Sequence, residues 1–328
     1  MSDQTADRSA PIPHEQVLAY LRTVPSTADS TSDIEAFRAR TRAQALAVRG
    51  PLEAVASIQT LDVGGVLARL YRPNGDEKDV LIWIHGGGWI HGDLDCYEGV
   101  SRALANRANC AVLAIEYRLA PEHPFPAGFE DAWTAVQWAT ANFAKVAVAG
   151  DSSGGNLATA VALRARDLGL ELALQLLVYP VLDPASDTAY KRLFRERYST
   201  FAGHAGFGLI ADERISHLWD LYVPDVAERE TAFAAPLRAE SLRGVAPAVI
   251  ITAEHDILRG EVEEYARRLK ADDVPVEAYE YLGQIHGFFQ MLGVMADAED
   301  AIDKAAAALR RAFAVSTESD ATASTRRT

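Results

Sequence analysis

Five short, mostly apolar runs, residues 80–84, 111–115, 146–149, 174–179 and 248–252, continuous rather than alternating, recur along this chain with amphipathic segments between them. A strand with one face in water alternates apolar and polar residues, whereas a strand covered on both faces reads as a continuous apolar run. The intervening segments, among them 97–107, 129–141 and 157–168, carry apolar residues at helical spacing, and helices are also expected over 261–270 and 298–313. Strand and helix in alternation dictate an α/β fold, a mostly parallel, doubly wound sheet with helices on both faces. A last strand is expected over 276–281. Residues 54–60 and 66–71, joined by Val63-Gly64-Gly65, read as an antiparallel hairpin ahead of the parallel strands.

With 328 residues, 49% of them apolar, the chain can fill one large core or two smaller ones. Residues 1–50 read as a tail followed by two helices, because Val17, Leu18, Leu21, Ile34 and Phe37 fall at helical spacing around the turn-like Pro25-Ser26-Thr27. The core then occupies 51–185 and 237–315. Between its two parts, residues 186–236 break the strand rhythm and are too long for a plain loop, so they are expected to form a helical insertion. Together with the two leading helices this insertion makes a cap over the carboxyl ends of the strands. The extreme ends, 1–13 and 316–328, are rich in Ser, Thr, Asp and Ala and are expected to fray.

A net charge of -14 argues against a nucleic-acid partner, which needs concentrated basic surface. The polar start Met1-Ser2-Asp3-Gln4 has no secretory character, and no apolar run approaches the roughly 20 residues that span a bilayer. Cys96 and Cys110 are too few for a disulfide scaffold or a zinc site. A cytoplasmic protein with free thiols and no metal is therefore expected.

The run Gly150-Asp151-Ser152-Ser153-Gly154-Gly155 follows one of the apolar strands and leads into a helix-forming segment. Strand, sharp turn and helix with serine at the apex is the geometry that exposes a nucleophile, and glycine best tolerates the backbone angles it requires. Gly-Asp-Ser-Gly-Gly also surrounds the nucleophile of chymotrypsin-like proteases, but those are β-barrels in which serine comes last of the three catalytic residues. Here serine lies mid-chain and the acid and base candidates follow it, the order of the α/β-hydrolases. After the strand ending near Ile84 stands His85-Gly86-Gly87-Gly88-Trp89. Three glycines leave backbone amides unobstructed, and with the amide of Ser153 those of Gly87 and Gly88 are candidates for an oxyanion hole. A phosphate-binding loop is the rival, but neither a Gly-Lys-Ser/Thr ending nor a Gly-x-Gly-x-x-Gly pattern is present.

These motifs, with Tyr117-Arg118-Leu119-Ala120-Pro121-Glu122-His123-Pro124-Phe125-Pro126, the Asp256 segment and His286-Gly287-Phe288, resemble the bacterial branch of the hormone-sensitive-lipase family of α/β-hydrolases. The resemblance covers the chain from about residue 60 onward. It implies a carboxylic-ester hydrolase for short to medium acyl groups, with a helical cap and no cofactor, and a homodimer is compatible with it. Two positions depart from the family pattern. Ser153 stands where alanine is usual, so the nucleophile is selected by the Gly-x-Ser-x-Gly frame, which gives Ser152. Gly260-Glu261 replaces the common Asp-Glu, leaving Asp256 untouched.

The triad acid belongs just after a late strand, where Glu254 and Asp256 both stand, and the family match favours Asp256. Taken alone, Asp256 reads as a helix cap. Of eight histidines, His286 is the best base, because it follows the last strand and precedes a glycine. His85 is expected to shape the glycine loop, and His91, His123 and His255 to be packing or polar residues. Trp89, Phe201, Phe207 and Trp219 are candidates for an apolar substrate pocket. A serine attack on an ester, with acyl-enzyme formation and hydrolysis, follows from this set. An amidase or deacetylase using the same triad, and a catalytically silent ligand receptor on the same scaffold, remain open.

Overall fold

The computed structural model describes residues 13–23, 33–185, 188–189, 191–192 and 212–315. Its strands are β1 (Ser57–Asp62), β2 (Leu67–Arg72), β3 (Asp79–Ile84), β4 (Ala111–Glu116), β5 (Lys145–Asp151), β6 (Leu174–Val178), β7 (Ala248–His255) and β8 (Val276–Ile285). They form one sheet in the order β1-β2-β4-β3-β5-β6-β7-β8, antiparallel at β1/β2 and β2/β4 and parallel from β4 to β8. The helices are α1 (Glu15–Leu21), α2 (Ile34–Val48), α3 (Glu98–Ala108), α4 (Ala127–Asn142), α5 (Ser152–Asp167), α6 (Asp212–Tyr222), α7 (Arg259–Ala271) and α8 (Ala296–Ala314).

The continuous apolar runs serve two cores at once. Along β3, Val80, Ile82 and Ile84 enter one core with residues of α4, α5 and α7, such as Val136, Val161 and Leu269. Leu81 and Trp83 point into a second core with α3 and α8, represented by Leu104, Ile302 and Leu309. Successive strand side chains face opposite ways, so a strand covered on both sides needs apolar residues at every position. Helices α4, α5 and α7 cover one face and α3 and α8 the other, so both faces are covered as the doubly wound expectation requires.

Several element boundaries differ from expectation, β5 running to Asp151, β7 to His255 and α5 starting at Ser152, and two of the differences have a visible cause in the strand pairing. β1 starts at Ser57 rather than 54, since its ladder to β2 begins at the Ser57–Arg72 pair. β8 runs to Ile285 rather than 281, because the pairing with β7 resumes at His255–Ile285 after an irregularity opposite Ala253 and His255. Gly283, at φ 71°, lies within that stretch. Within 186–236 the described residues carry α6 and a short turn at Glu228–Glu230. Phe201, Phe207 and almost all of the expected frayed ends lie outside the described residues. Among the described residues no helix is long and apolar enough to cross a membrane. Cys96 and Cys110 are both free and buried.

Candidate active site

Every segment that carries a candidate group leaves the sheet at the carboxyl end of a parallel strand. β3 ends at Ile84 and releases His85 and the glycine loop, β5 delivers Ser152, β7 delivers Asp256, and β8 delivers His286. In open α/β sheets that edge is where ligands bind.

Ser152 is both the residue after β5 and the first residue of α5, and it takes φ 53°. A side-chain-bearing residue rarely adopts this left-handed angle, which aims the hydroxyl away from strand and helix alike. The turn is pressed so closely on β3 that a Cβ on Gly154 would fall on the carbonyl oxygens of Ile84 and His85. That contact explains the need for the last glycine of the Gly-x-Ser-x-Gly frame.

His286 Nε2 lies 2.9 Å from Ser152 Oγ, and His286 Nδ1 lies 2.7 Å from Asp256 Oδ2. Ser152 and His286 are each 7% exposed and Asp256 is 2% exposed, so the chain of contacts is nearly dry while its serine end opens on a cavity. The other Asp256 oxygen, Oδ1, accepts from the Leu258 amide at 2.9 Å, so the carboxylate braces its own turn as well as the imidazole. Glu254, the rival acid, accepts the Gly283 amide at 2.8 Å instead. Tyr179, the residue after β6, lays its ring 4.5 Å from the imidazole and holds the histidine from the other side.

The glycine loop closes on itself at Gly87, whose carbonyl accepts from the Ile90 and His91 amides, each at 3.1 Å. Gly87 has φ 121°, and a Cβ there would overlap the His91 carbonyl. Gly87, Gly88 and Trp89 line the cavity together with Ser152 and His286. Ser153 sits fully buried at the start of α5, where helix amides carry partial positive charge, and its hydroxyl lies next to the Tyr117 phenol. His85 is buried, stacked 4.5 Å from Tyr117, and burial pushes its pKa down to about 4, which keeps it neutral. His91 is pushed down to about 3, by burial first and then by Arg214.

Of the described pocket candidates, Trp89 lines the cavity. Trp219 does not: it is fully buried behind Trp89 at 4.9 Å, and Ile215 and Leu218, on the same helix, form the wall instead. Asp151, Tyr97 and Gln290 also border the cavity, although sequence alone did not single them out. Asp151 lies inside the elbow motif, which was the available signal. A wider cleft at the opposite, amino ends of β5 to β8, lined by Lys145, Leu174, Ala248 and Val276, contains none of these groups. Among the described residues no group of three or more His, Cys, Asp or Glu is placed to hold a metal ion.

Residues 81–290 match the family described as the alpha/beta hydrolase fold. The chain belongs to the α/β-hydrolase family. This α/β-hydrolase is 34% identical over 325 residues to esterase LipI of Mycobacterium tuberculosis (strain ATCC 25618 / H37Rv), covering 94% of this chain and 97% of the relative. It is 39% identical over 280 residues to carboxylic ester hydrolase LipN of the same strain, covering 79% and 71%. A solved thermostable esterase from Pseudomonas putida ECU1011 matches it with a TM-score of 0.83 at 30% identity, over 94% of this chain and 100% of that one. The family is the hormone-sensitive-lipase-like one that the motifs resemble.

Proposed function

We propose that this α/β-hydrolase cleaves carboxylic esters of short to medium acyl chains through an acyl-enzyme intermediate formed on Ser152. The observation that carries the reading is the imidazole of His286, in hydrogen-bond reach of Ser152 Oγ at 2.9 Å and of Asp256 Oδ2 at 2.7 Å. The relatives named as esterases support the same reaction class.

Asp256 Oδ2 accepts a hydrogen bond from the Nδ1–H of His286, which leaves Nε2 as the lone-pair end facing serine. As Ser152 Oγ attacks the ester carbonyl, Nε2 takes its proton, and the Asp256 carboxylate stabilises the imidazolium. The carbonyl oxygen becomes an oxyanion that the amides of Gly87, Gly88 and Ser153 receive. Each such donor is worth about 3 kcal/mol of transition-state stabilisation. Collapse expels the alcohol with the proton from His286, and water then repeats the sequence on the acyl-enzyme to release the acid. No cofactor enters this chemistry. The reading includes a cytoplasmic location, in keeping with two unpaired buried thiols, and a homodimer.

The Ser152→Ala variant tests it with p-nitrophenyl butyrate. Removal of a triad member is expected to lower kcat by roughly 10⁴-fold or more with the fold intact. Turnover near that of the wild type contradicts the assignment. Equal turnover of the matching anilide favours the amidase reading.

A further inference from the structure

The peptide that leads from β3 into the glycine loop is gripped at both of its polar ends. The Tyr117 phenol donates to the His85 carbonyl oxygen at 3.0 Å, and the Gly86 amide donates to Asp151 Oδ1 at 2.8 Å. These two bonds hold the carbonyl and the amide of one planar His85–Gly86 unit. Asp151 Oδ2 accepts the Tyr97 phenol at 3.1 Å, and the His85 ring stacks on both tyrosines. Asp151 and Tyr117 are 2% and 3% exposed, and the proposed reaction uses neither.

A peptide unit is rigid, so one hydrogen bond leaves it free to tilt about that contact, whereas bonds at both ends fix its orientation. The loop needs such fixing because Gly86, Gly87 and Gly88 lack the side chains that restrict backbone angles. Downstream, Gly87 is already pinned through its carbonyl by two amides. The His85–Gly86 unit is the upstream anchor, which brackets Gly87 from both sides. Burial lifts the Asp151 pKa to about 6, and in its charged form the group bonds an amide more strongly than a neutral acceptor does. Keeping a carboxylate buried beside a developing oxyanion is unfavourable in itself. The two donors it collects supply the compensation.

We propose that Asp151 and Tyr117 are positioning residues that clamp the His85–Gly86 peptide plane and thereby hold the Gly87 and Gly88 amides in aim at the oxyanion formed on Ser152. The proposal rests on the esterase reading above.

The test measures kcat and KM for p-nitrophenyl butyrate, and inhibition by an alkyl trifluoromethyl ketone, in wild type, Tyr117→Phe, Asp151→Ala, Asp151→Asn and the Tyr117→Phe/Asp151→Ala double variant. Attack of Ser152 on the ketone forms a C–O bond and a tetrahedral alkoxide, the proton passing to His286, so its affinity reports on the same amides. Tyr117→Phe and Asp151→Ala are expected to lower kcat by about tenfold or more and to weaken ketone binding in parallel, with KM nearly unchanged. Asp151→Asn, whose side-chain oxygen still accepts the Gly86 amide, recovers most of the loss. The double variant falls little below the worse single one, because a plane released once cannot be released again. Unchanged kcat and ketone affinity in Tyr117→Phe, a loss confined to KM, or multiplicative losses in the double variant each overturn the clamp. Tyr117→Phe removes one hydroxyl and carries the test alone if Asp151→Ala does not fold. An active Ser152→Ala enzyme overturns the esterase reading itself, whereas an inactive one with a normal Tyr117→Phe enzyme overturns only the clamp.

Discussion

Glu116, the last residue of β4, shows how a single side chain sets pH behaviour. Its Oε2 accepts the Leu94 amide at 3.0 Å. Burial raises its pKa to about 7, a shift that Asp93 and Asp95 reinforce against the opposing pull of the Leu94 amide and Arg69. The unfolded chain releases this proton near the ordinary glutamate value of about 4.3. Between these two values the native state holds a proton that the unfolded state has lost, so stability falls as pH rises through the window. Glu116→Gln mimics the protonated form. Its Tm is expected to match wild type near pH 4.5 and to exceed it near pH 8, as scanning fluorimetry across that range can show. A variant less stable than wild type at pH 8 contradicts this assignment. The proposed nucleophile could be named from sequence at this scale because the Gly-x-Ser-x-Gly frame encodes a close contact, Gly154 against the carbonyls of Ile84 and His85. The choice of Asp256 over Glu254 rested on the family resemblance, and the fold supplies the physical reason: Glu254 lies inside β7 and accepts the Gly283 amide, whereas Asp256 follows the strand and meets His286.

Among the elements, α6 shapes the cavity that the glycine loop opens onto. Leu218 is buried, and its methyl carbons lie 2.8 to 2.9 Å from where a Cβ on Gly88 would stand, so the leucine covers that glycine. Behind it Trp89 stacks on Tyr222 at 4.2 Å with the rings nearly parallel, which gives the wall little freedom to yield. Leu218→Ala is expected to move the preferred p-nitrophenyl ester from short acyl chains toward longer ones, at a stability cost of about 2–5 kcal/mol. An unchanged acyl-chain profile in a folded variant contradicts the role given to this helix. Strands β3 to β7 were legible as mostly apolar runs because burial on both faces leaves few polar positions, such as Gln175 in β6. Their carboxyl ends were not, for a physical reason. Gly150 and Asp151 extend β5 by pairing with Ile84 and Val178 on neighbouring strands, and Leu282 to Ile285 extend β8 past a positive-φ glycine. Such pairing is decided by strands distant in sequence, and those strand ends carry the site. The same non-locality hid Asp151 and Tyr117 as a pair, which meet across one peptide plane contributed by a third segment.

The molecule as a whole brings together the proposed reactive centre from residues far apart in sequence. Ser152 and His286 are 134 positions apart, and Asp256 and His286 are 30 apart. Their meeting depends on β5, β7 and β8 ending at the same edge of one sheet. A serine hydroxyl without a base is a weak nucleophile, so reactivity belongs to the folded chain. The most direct measurement is therefore labelling with a fluorophosphonate, before and after urea unfolding, with the modified residue located by peptide mass spectrometry. The account predicts a single adduct on Ser152 in the folded protein, absent from the unfolded chain and from the Ser152→Ala variant. An adduct on Ser153, or ester hydrolysis by a folded protein that takes up no label, would contradict it.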